Sequence, residues 1–425
     1  MQTDNAFQMS ASNIRFGPGT TSEVGMDLRA MNVRRTLVVI DPRLKELPTG
    51  ATVFESLKSN GVDFEVFDDV HVEPTDHSFQ QAARVATEGQ FDSFLAVGGG
   101  STIDTAKAAN LLATWPADFL YYVNAPIGQG QPVPGPLKPL IAIPTTAGTG
   151  SETTGVAIFD YVEQKAKTGI AHRFLKPTLG IVDSDNTRTM PAAVAASTGL
   201  DVLSHALESF TALPYDRRPK PETPLHRPTY QGSNPISDIW AIRALELVAE
   251  FLPRAFHDPG DDEARSHMLL ASAMAGIGFG NAGVHLPHGM SYPVAGMVKS
   301  FRPRGYDVDH PLVPHGISVI LNTPAVVRFT ATACPERHLR GAQALGVDIR
   351  DVSLDDAGSV LADRIEQFMR ELNIPNGLAE VGYTEDDIPA LVEATLPQHR
   401  VTKLSPRPAG AEELTKLFRD SLHIW

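Results

Sequence analysis

The stretch DSFLAVGGGSTIDTAKAANLLA, residues 92–113, combines the features that decide the fold class. It begins as an apolar strand, turns on three consecutive glycines and continues with the pattern of a helix. Similar apolar runs occur at 35–41 (RTLVVID), 140–146 (LIAIPTT) and 178–183 (TLGIVD), separated by helical patterns. Alternating strands and helices predict a parallel sheet with helices on its faces. We therefore predict an α/β domain over residues 1–189.

The sequence changes character after about Met190. Segments rich in Ala, Leu and Glu at 238–252, 263–277 and 359–374 are typical of helices. We predict that residues 190–425 form an all-α domain. One proline-rich interruption, 213–235, is too long to be a simple turn.

Composition narrows the classes of partner and the compartment. The net charge of −14 over 425 residues disfavours nucleic acid and anionic membranes, and no apolar run approaches the ~20 residues of a membrane helix. The one cysteine, Cys334, excludes an internal disulfide and fits a reducing compartment. Residues 1–25 lack both an apolar signal core and an arginine-rich transit pattern. We therefore expect a cytoplasmic protein that binds small molecules, with no nucleic acid or membrane partner.

The three glycines of the opening stretch suit a nucleotide diphosphate. Without Cβ atoms they let phosphate approach the backbone, and the start of the next helix favours its negative charge. A plain strand–helix turn would look the same. The order also differs from the usual Rossmann fingerprint, since the acidic residue, Asp41, precedes the glycines. Asp41 could bind a ribose and repel a 2′-phosphate, which favours NAD over NADP, or it could cap a turn before Pro42.

A second loop, IPTTAGTGSETTG at 143–155, follows another apolar strand and concentrates hydroxyl groups. Strand ends in such sheets commonly bind ligands, so these hydroxyls could face a cofactor. Alternatively they satisfy their own backbone, as Ser and Thr often do in turns.

Within GLDVLSHALESF (199–210), Asp201 and His205 lie one helical turn apart. This spacing permits a shared metal ion but also fits an ordinary polar helix face. Two later segments, 281–296 and 309–321, add His288 and His315 in apolar surroundings framed by glycine and proline. Each histidine alone could be a hydrogen-bonded core or capping group. Together, one carboxylate and several imidazoles suit Fe(II) or Zn(II).

The ordered set GGGSTIDTAK, PTTAGTGSE, GLDVLSHALES and a final PHG resembles the iron-containing alcohol dehydrogenase family along essentially the whole chain. The resemblance implies an N-terminal dinucleotide-binding domain, a C-terminal helical domain, NAD, and Fe(II) with Zn(II) as the other possibility. It implies four metal ligands, Asp201, His205, His288 and His315. It also implies cofactor-binding residues: Asp41 at the ribose; Gly98, Gly99, Gly100 and Ser101 at the diphosphate; Asp104, Thr145, Thr146, Thr149 and Thr154 beside the cofactor; and, less securely aligned, Lys167.

Further strings, among them GNAGVHLPHGMSYPVAG and LPQHRVTKLSP, resemble the branch of this family that passes a hydride from a hydroxyacid to an oxoacid through bound NAD. This implies oxidation of 4-hydroxybutyrate to succinic semialdehyde, coupled to reduction of 2-oxoglutarate to D-2-hydroxyglutarate. Three alternatives stay open: an NAD-dependent dehydrogenase of simple alcohols, a lyase similar to dehydroquinate synthase, and a non-catalytic metal- or nucleotide-binding protein.

Two functional roles, proton relay and binding of the substrate anion, each have several candidate residues. Many family members carry a second histidine four residues after the third metal ligand, where this chain has Tyr292, which we favour as the proton-relay residue over His285 and His310. Substrate anions require a cation, and we consider Arg217, Arg218, Lys220, Arg227, Arg302 and Arg304, although solvated loop charges would look alike. We expect a homo-oligomer, a dimer.

Overall fold

The computed structural model describes residues 3–164, 166–306, 308 and 310–425, which form two compact units. The sheet unit is Ser10–Met190. The helical unit is Pro191–Trp425 together with the N-terminal residues up to Met9. The sequence-based division places these N-terminal residues in the first domain.

The sheet unit contains a six-stranded sheet in the order β1-β8-β5-β4-β2-β3, in which every neighbouring pair is parallel. Its strands are β1 (Asn13–Phe16), β2 (Arg35–Ile40), β3 (Asp63–Phe67), β4 (Ser93–Gly98), β5 (Leu140–Pro144) and β8 (Leu179–Val182). A separate antiparallel pair consists of β6 (Val156–Tyr161) and β7 (Ala166–Ala171). The helices are α1 (Val24–Ala30), α2 (Pro48–Ser59), α3 (Asp76–Glu88) and α4 (Gly100–Thr114). The predicted parallel sheet is confirmed.

The central strands are apolar on both faces because helices cover both sides of the sheet. Successive residues of β4, such as Phe94 and Leu95, belong to different buried clusters. β4 lies between β2 and β5, with Ile40 paired to Val97 and Gly98 paired to Pro144. The segments that follow these three strands therefore emerge side by side at one edge of the sheet.

The helical unit is built from eleven α-helices within its described residues, with isolated bridges but no β-strand among them. They are α5 (Ala192–Thr211), α6 (Pro235–His257), α7 (Asp262–Ala282), α8 (Leu286–Gly296), α9 (His315–Ile320), α10 (Thr323–Thr330), α11 (Pro335–Ala344), α12 (Ala357–Glu371), α13 (Ile388–Thr395), α14 (His399–Thr402) and α15 (Ala411–Asp420). The predicted all-α region is confirmed. Among the described residues no single helix could cross a membrane by length and composition, although the bent pair α7 and α8, at 104°, meets that test together.

The proline-rich interruption is held by the N-terminal segment. Asp4 is fully buried, and its carboxylate lies 2.8 Å from Nη2 of Arg218 and 3.0 Å from Nε of Arg227. Gln8 and Gln231 exchange two hydrogen bonds nearby. Two of the six cations considered for substrate binding are therefore neutralised by an internal carboxylate.

We expect Asp4→Ala to lower the midpoint of thermal unfolding by about 5 °C, because it leaves two partly buried guanidinium groups without their anion. Differential scanning calorimetry measures the change. Asp216→Ala serves as the control, because Asp216 lies in the proline-rich interruption but is exposed. This variant should shift the midpoint by less than about 1 °C. Equal midpoints for the two variants would contradict this role of Asp4.

Candidate functional site

Helix α5 carries two of the predicted ligands on one face. Asp201 and His205 are one turn apart, and both are buried. The His205 ring stacks on Phe279 of α7, with ring centroids 3.9 Å apart. This contact limits how the imidazole can rotate.

The other two ligands stand at the beginnings of helices. His288 lies in the first turn of α8, which follows the His285 N-cap, and His315 is the first residue of α9, after Pro314. Gly316 allows α9 to approach α5 closely, because a Cβ atom there would lie 2.0 Å from the carbonyl oxygen of Ser197. A glycine after His315 is therefore required to bring this imidazole to Asp201.

The four side chains converge on one point. One ligand atom from each of Asp201, His205, His288 and His315 lies within 4.8 Å of the others. The Asp201 carboxylate is 3.6 Å from Nε2 of His288, 3.7 Å from Nε2 of His315 and 3.7 Å from Nδ1 of His205. These distances are too long for hydrogen bonds. They are close to the ~3.4 Å that separates ligands placed tetrahedrally ~2.1 Å from a metal ion.

Three of the four predicted ligand residues have a ligand atom without a hydrogen-bond partner among the described residues. Oδ1 of Asp201, Nδ1 of His205 and Nε2 of His288 are buried and accept or donate no hydrogen bond in the described structure. Each buried, unsatisfied polar atom costs about 1–3 kcal/mol, so three at one point indicate a missing common partner. The His315 side chain is 25% exposed, which leaves one side of the site open. These residues fit a divalent cation with room for a further ligand.

Burial and neighbouring charges set the protonation of the group. Burial would raise the pKa of Asp201, but the surrounding imidazoles hold it well below its usual range. Burial lowers the pKa of His205 to about 3, so this imidazole is neutral at pH 7. Burial also opposes the charged form of His288, but Glu208 and Asp201 raise its pKa to about 10. A metal ion must therefore displace a proton from His288 to bind there.

Glu208 orients His288. Its Oε1 lies 2.6 Å from Nδ1 of His288, and its Oε2 accepts from the backbone N–H of His285 at 2.6 Å. A carboxylate on Nδ1 directs Nε2 of the imidazole toward Asp201. The sequence places Glu208 one turn beyond His205, on the helix face that carries the predicted ligands. This spacing alone does not distinguish a residue that orients a ligand from a solvated charge on the helix surface.

We predict that Glu208→Gln weakens metal binding about 10- to 100-fold, because the neutral amide no longer stabilises the proton on Nδ1. Competition of the protein with a chelator for Zn(II) measures the affinity. Ser204→Ala is the matched control, since the Ser204 hydroxyl donates to the carbonyl of Leu200 on the same helix. An unchanged affinity in Glu208→Gln would show that the carboxylate does not support the ligand.

The predicted nucleotide-binding residues of the sheet unit lie at neighbouring strand ends. Asp41 follows β2, the three glycines end β4 and begin α4, and Thr145 follows β5. The backbone N–H of Asp41 donates to Val97, and that of Thr145 donates to Gly98, both at 3.2 Å. A Cβ atom on Gly100 would lie 2.5 Å from Thr149, so this position requires glycine.

Several of these side chains have partners within the protein. Asp41 caps the N–H of Arg43 at 2.9 Å. Asp104 accepts from Ser151 at 2.5 Å and from the N–H of Ile158 at 2.9 Å. Thr146, Thr149 and Ser101 are partly exposed, whereas Thr145 and Thr154 are buried. The cofactor contacts of all these residues stay predictions.

Two lysines hold the loops around this edge. Lys107 is fully buried, and no sequence motif predicted a role for it. It donates to Ser151 at 2.6 Å, to Thr154 at 3.3 Å and to the carbonyl of Val156 at 2.8 Å. Lys167 forms ion pairs with Glu73 and, at 3.0 Å, with Asp160. Its cofactor role also stays a prediction.

Tyr292 is buried on α8, one turn after His288, and its hydroxyl accepts a hydrogen bond from Nη2 of Arg400 at 2.9 Å. His285 caps α8 by accepting from the N–H of Leu286, and its other ring nitrogen lies 3.0 Å from the hydroxyl of Thr211. His285 is therefore used in packing, and the relay role of Tyr292 stays a prediction.

Comparison with known proteins gives matches over both units. Residues 11–184 match the family described as iron-containing alcohol dehydrogenase, and residues 229–422 match the C-terminal part of the Fe-containing alcohol dehydrogenase family. The chain is 59% identical over 425 residues to the mitochondrial hydroxyacid-oxoacid transhydrogenase of Bos taurus, covering 100% of this chain and 91% of that protein.

Solved structures agree with the fold. A 1,3-propanediol oxidoreductase has a TM-score of 0.85 at 27% identity, covering 98% of this chain and 100% of its own. A sulfoacetaldehyde reductase from Bifidobacterium kashiwanohense in complex with NAD+ has a TM-score of 0.80 at 26% identity, covering 98% of each chain.

The expectation of a cytoplasmic location is wrong. Relatives that are 59% identical over the full length of this chain are named mitochondrial, which contradicts it. A single cysteine indicates reducing surroundings but does not distinguish one reducing compartment from another.

Proposed function

Since the chain belongs to the iron-containing alcohol dehydrogenase family, we propose that it is a hydroxyacid–oxoacid transhydrogenase. It takes a hydride and a proton from a hydroxyacid and delivers both to an oxoacid, with NAD retained between the two halves. We propose 4-hydroxybutyrate and 2-oxoglutarate as the substrates, giving succinic semialdehyde and D-2-hydroxyglutarate. The observation that carries the proposal is the convergence of Asp201 and three imidazoles, with Oδ1 of Asp201, Nδ1 of His205 and Nε2 of His288 lacking a hydrogen-bond partner among the described residues.

We propose that Asp201, His205, His288 and His315 hold Fe(II), with Zn(II) as the alternative. A divalent cation at this point supplies Lewis acidity toward the hydroxyl or carbonyl oxygen of a substrate. The protein contributes one negative charge through Asp201 and neutral imidazoles, so the centre keeps a net positive charge. The partly exposed side at His315 provides the approach for that oxygen.

We propose that the sheet unit binds NAD at the shared edge of β2, β4 and β5. The three glycines and the first N–H groups of α4 receive the diphosphate, and the helix is 15 residues long. Thr145, Thr146, Thr149 and Thr154 lie in the adjoining loop, and Asp41 receives the adenosine ribose. Tyr292 is proposed as the proton relay from its position alone, and a homodimer as the assembly.

The proposed reaction is tested with protein loaded with NAD, desalted, and supplied with Fe(II). With 4-hydroxybutyrate and 2-oxoglutarate together and no added NAD, we expect succinic semialdehyde and D-2-hydroxyglutarate in equal amounts over many turnovers, measured by chromatography. A chelator should abolish turnover and Fe(II) should restore it. Product limited to one equivalent per protein unless NAD is added would indicate a freely exchanging dehydrogenase, and no product from either substrate would reject the proposal.

The ribose role of Asp41 predicts cofactor preference. Asp41→Asn keeps an oxygen that can accept from the N–H of Arg43 but removes the charge that would repel a 2′-phosphate. We expect the ratio of the NADP and NAD dissociation constants to fall about tenfold, which corresponds to ~1.4 kcal/mol. Fluorescence titration with each reduced cofactor measures the ratio. An unchanged ratio would mean that the carboxylate serves only as a turn cap.

A further inference from the structure

Arg400 lies in the segment LPQHRVTKLSP, which the metal and nucleotide motifs leave unexplained. It belongs to the short helix α14, which packs on α8. One end of its guanidinium, Nη2, donates to the hydroxyl of Tyr292 at 2.9 Å. The guanidinium carbon also lies 5.0 Å from the centre of the Tyr230 ring.

Each of the two tyrosines that contact Arg400 is connected to a predicted metal ligand. Tyr292 is four residues after His288 on α8, so the two side chains share a face of that helix. The Tyr230 ring lies 6.4 Å from Phe279, the residue whose ring stacks on His205. Arg400 is therefore linked through Tyr292 to the helix that carries His288 and, through Tyr230 and Phe279, to His205.

The guanidinium has an unused donor and no counter-ion in the described part of the chain. Nη1 of Arg400 is buried and has no hydrogen-bond partner there, and none of the ion pairs found in it includes Arg400. Burial opposes the charge, but the two tyrosine hydroxyls raise the pKa of Arg400, so it stays protonated. Arg400 is partly buried, and a desolvated cation without an anion is costly, so this position favours an anionic ligand. Arg218 and Arg227, in contrast, already have Asp4.

We propose that Arg400 binds the carboxylate of the substrate, an inference that rests on the proposed function. The two substrates share a useful feature. In 4-hydroxybutyrate the carboxylate carbon is three carbon–carbon bonds from the carbon that loses hydride, and in 2-oxoglutarate the distal carboxylate carbon is three bonds from the carbon that receives it. One guanidinium can therefore position both molecules in turn. Arginine suits this role because its donors can bind a carboxylate with defined geometry.

This assignment makes Arg400 the residue that selects acids over simple alcohols. Tyr292 then positions the guanidinium through its hydroxyl.

The test compares 4-hydroxybutyrate with its uncharged isostere 4-hydroxybutyramide, using metal-loaded protein with NAD. In Arg400→Ala we expect kcat/KM for the acid to fall about 100-fold, while kcat/KM for the amide changes by less than about threefold. Calorimetry provides a second readout, because glutarate, which cannot react, should bind wild-type protein and lose about 100-fold in affinity in the variant. A purely structural role would instead lower the turnover of acid and amide equally.

Arg407→Ala is the matched control, since Arg407 directly follows this segment but is exposed and donates to the carbonyl of Phe329. It should retain wild-type values for both substrates. Arg400→Lys keeps the charge without the planar fork, and we expect about a tenfold loss for the acid only; it carries the test if the alanine variant does not fold. Equal acid-to-amide ratios in wild type and the Arg400 variants, or unchanged glutarate binding, overturn the inference. Absence of turnover in wild-type protein would reject the proposed function itself.

Discussion

The structure of the helical unit depends on one buried carboxylate. Asp201 lies in the middle of α5, surrounded by three imidazoles at distances too long for hydrogen bonds, and its Oδ1 has no hydrogen-bond partner among the described residues. A buried carboxylate of this kind needs a positive charge beside it, which a protonated His288 or a bound divalent cation supplies. The close packing of Gly316 on α5, the carboxylate of Glu208 behind His288 and the stacking of Phe279 on His205 all serve to keep this group in place.

The sheet unit brings the glycine turn and the hydroxyl-rich loop together at neighbouring strand ends. Parallel pairing sets the ends of β2, β4 and β5 side by side, and glycine at position 100 keeps Thr149 close to the turn. Buried Lys107 and the carboxylate of Asp104 join the hydroxyl loop to α4. Burial disfavours the charge of Lys107, so the loop oxygens around it are needed for its stability as much as for the shape of the loop.

Three arginines of the helical unit differ in whether a carboxylate neutralises them. Arg218 and Arg227 are neutralised by Asp4, which ties the N-terminal segment to the proline-rich interruption. Arg400 faces two tyrosines and no carboxylate in the described residues. Charge count along the chain does not reveal this difference, because all three arginines stand in loop-like, proline-containing sequence.

The sequence alone was sufficient for the fold class, because strand periodicity, the glycine turn and the helical texture after Met190 are local properties of the chain. It was also sufficient for the convergence of Asp201, His205, His288 and His315 as a prediction, since the ordered motifs identify the family. Only the tertiary structure determines which charged and polar side chains contact one another. The pairing of Asp4 with arginines more than 200 residues away, the hydrogen bond from Arg400 to Tyr292 and the support of His288 by Glu208 depend on helix packing, which brings together positions that no local spacing connects.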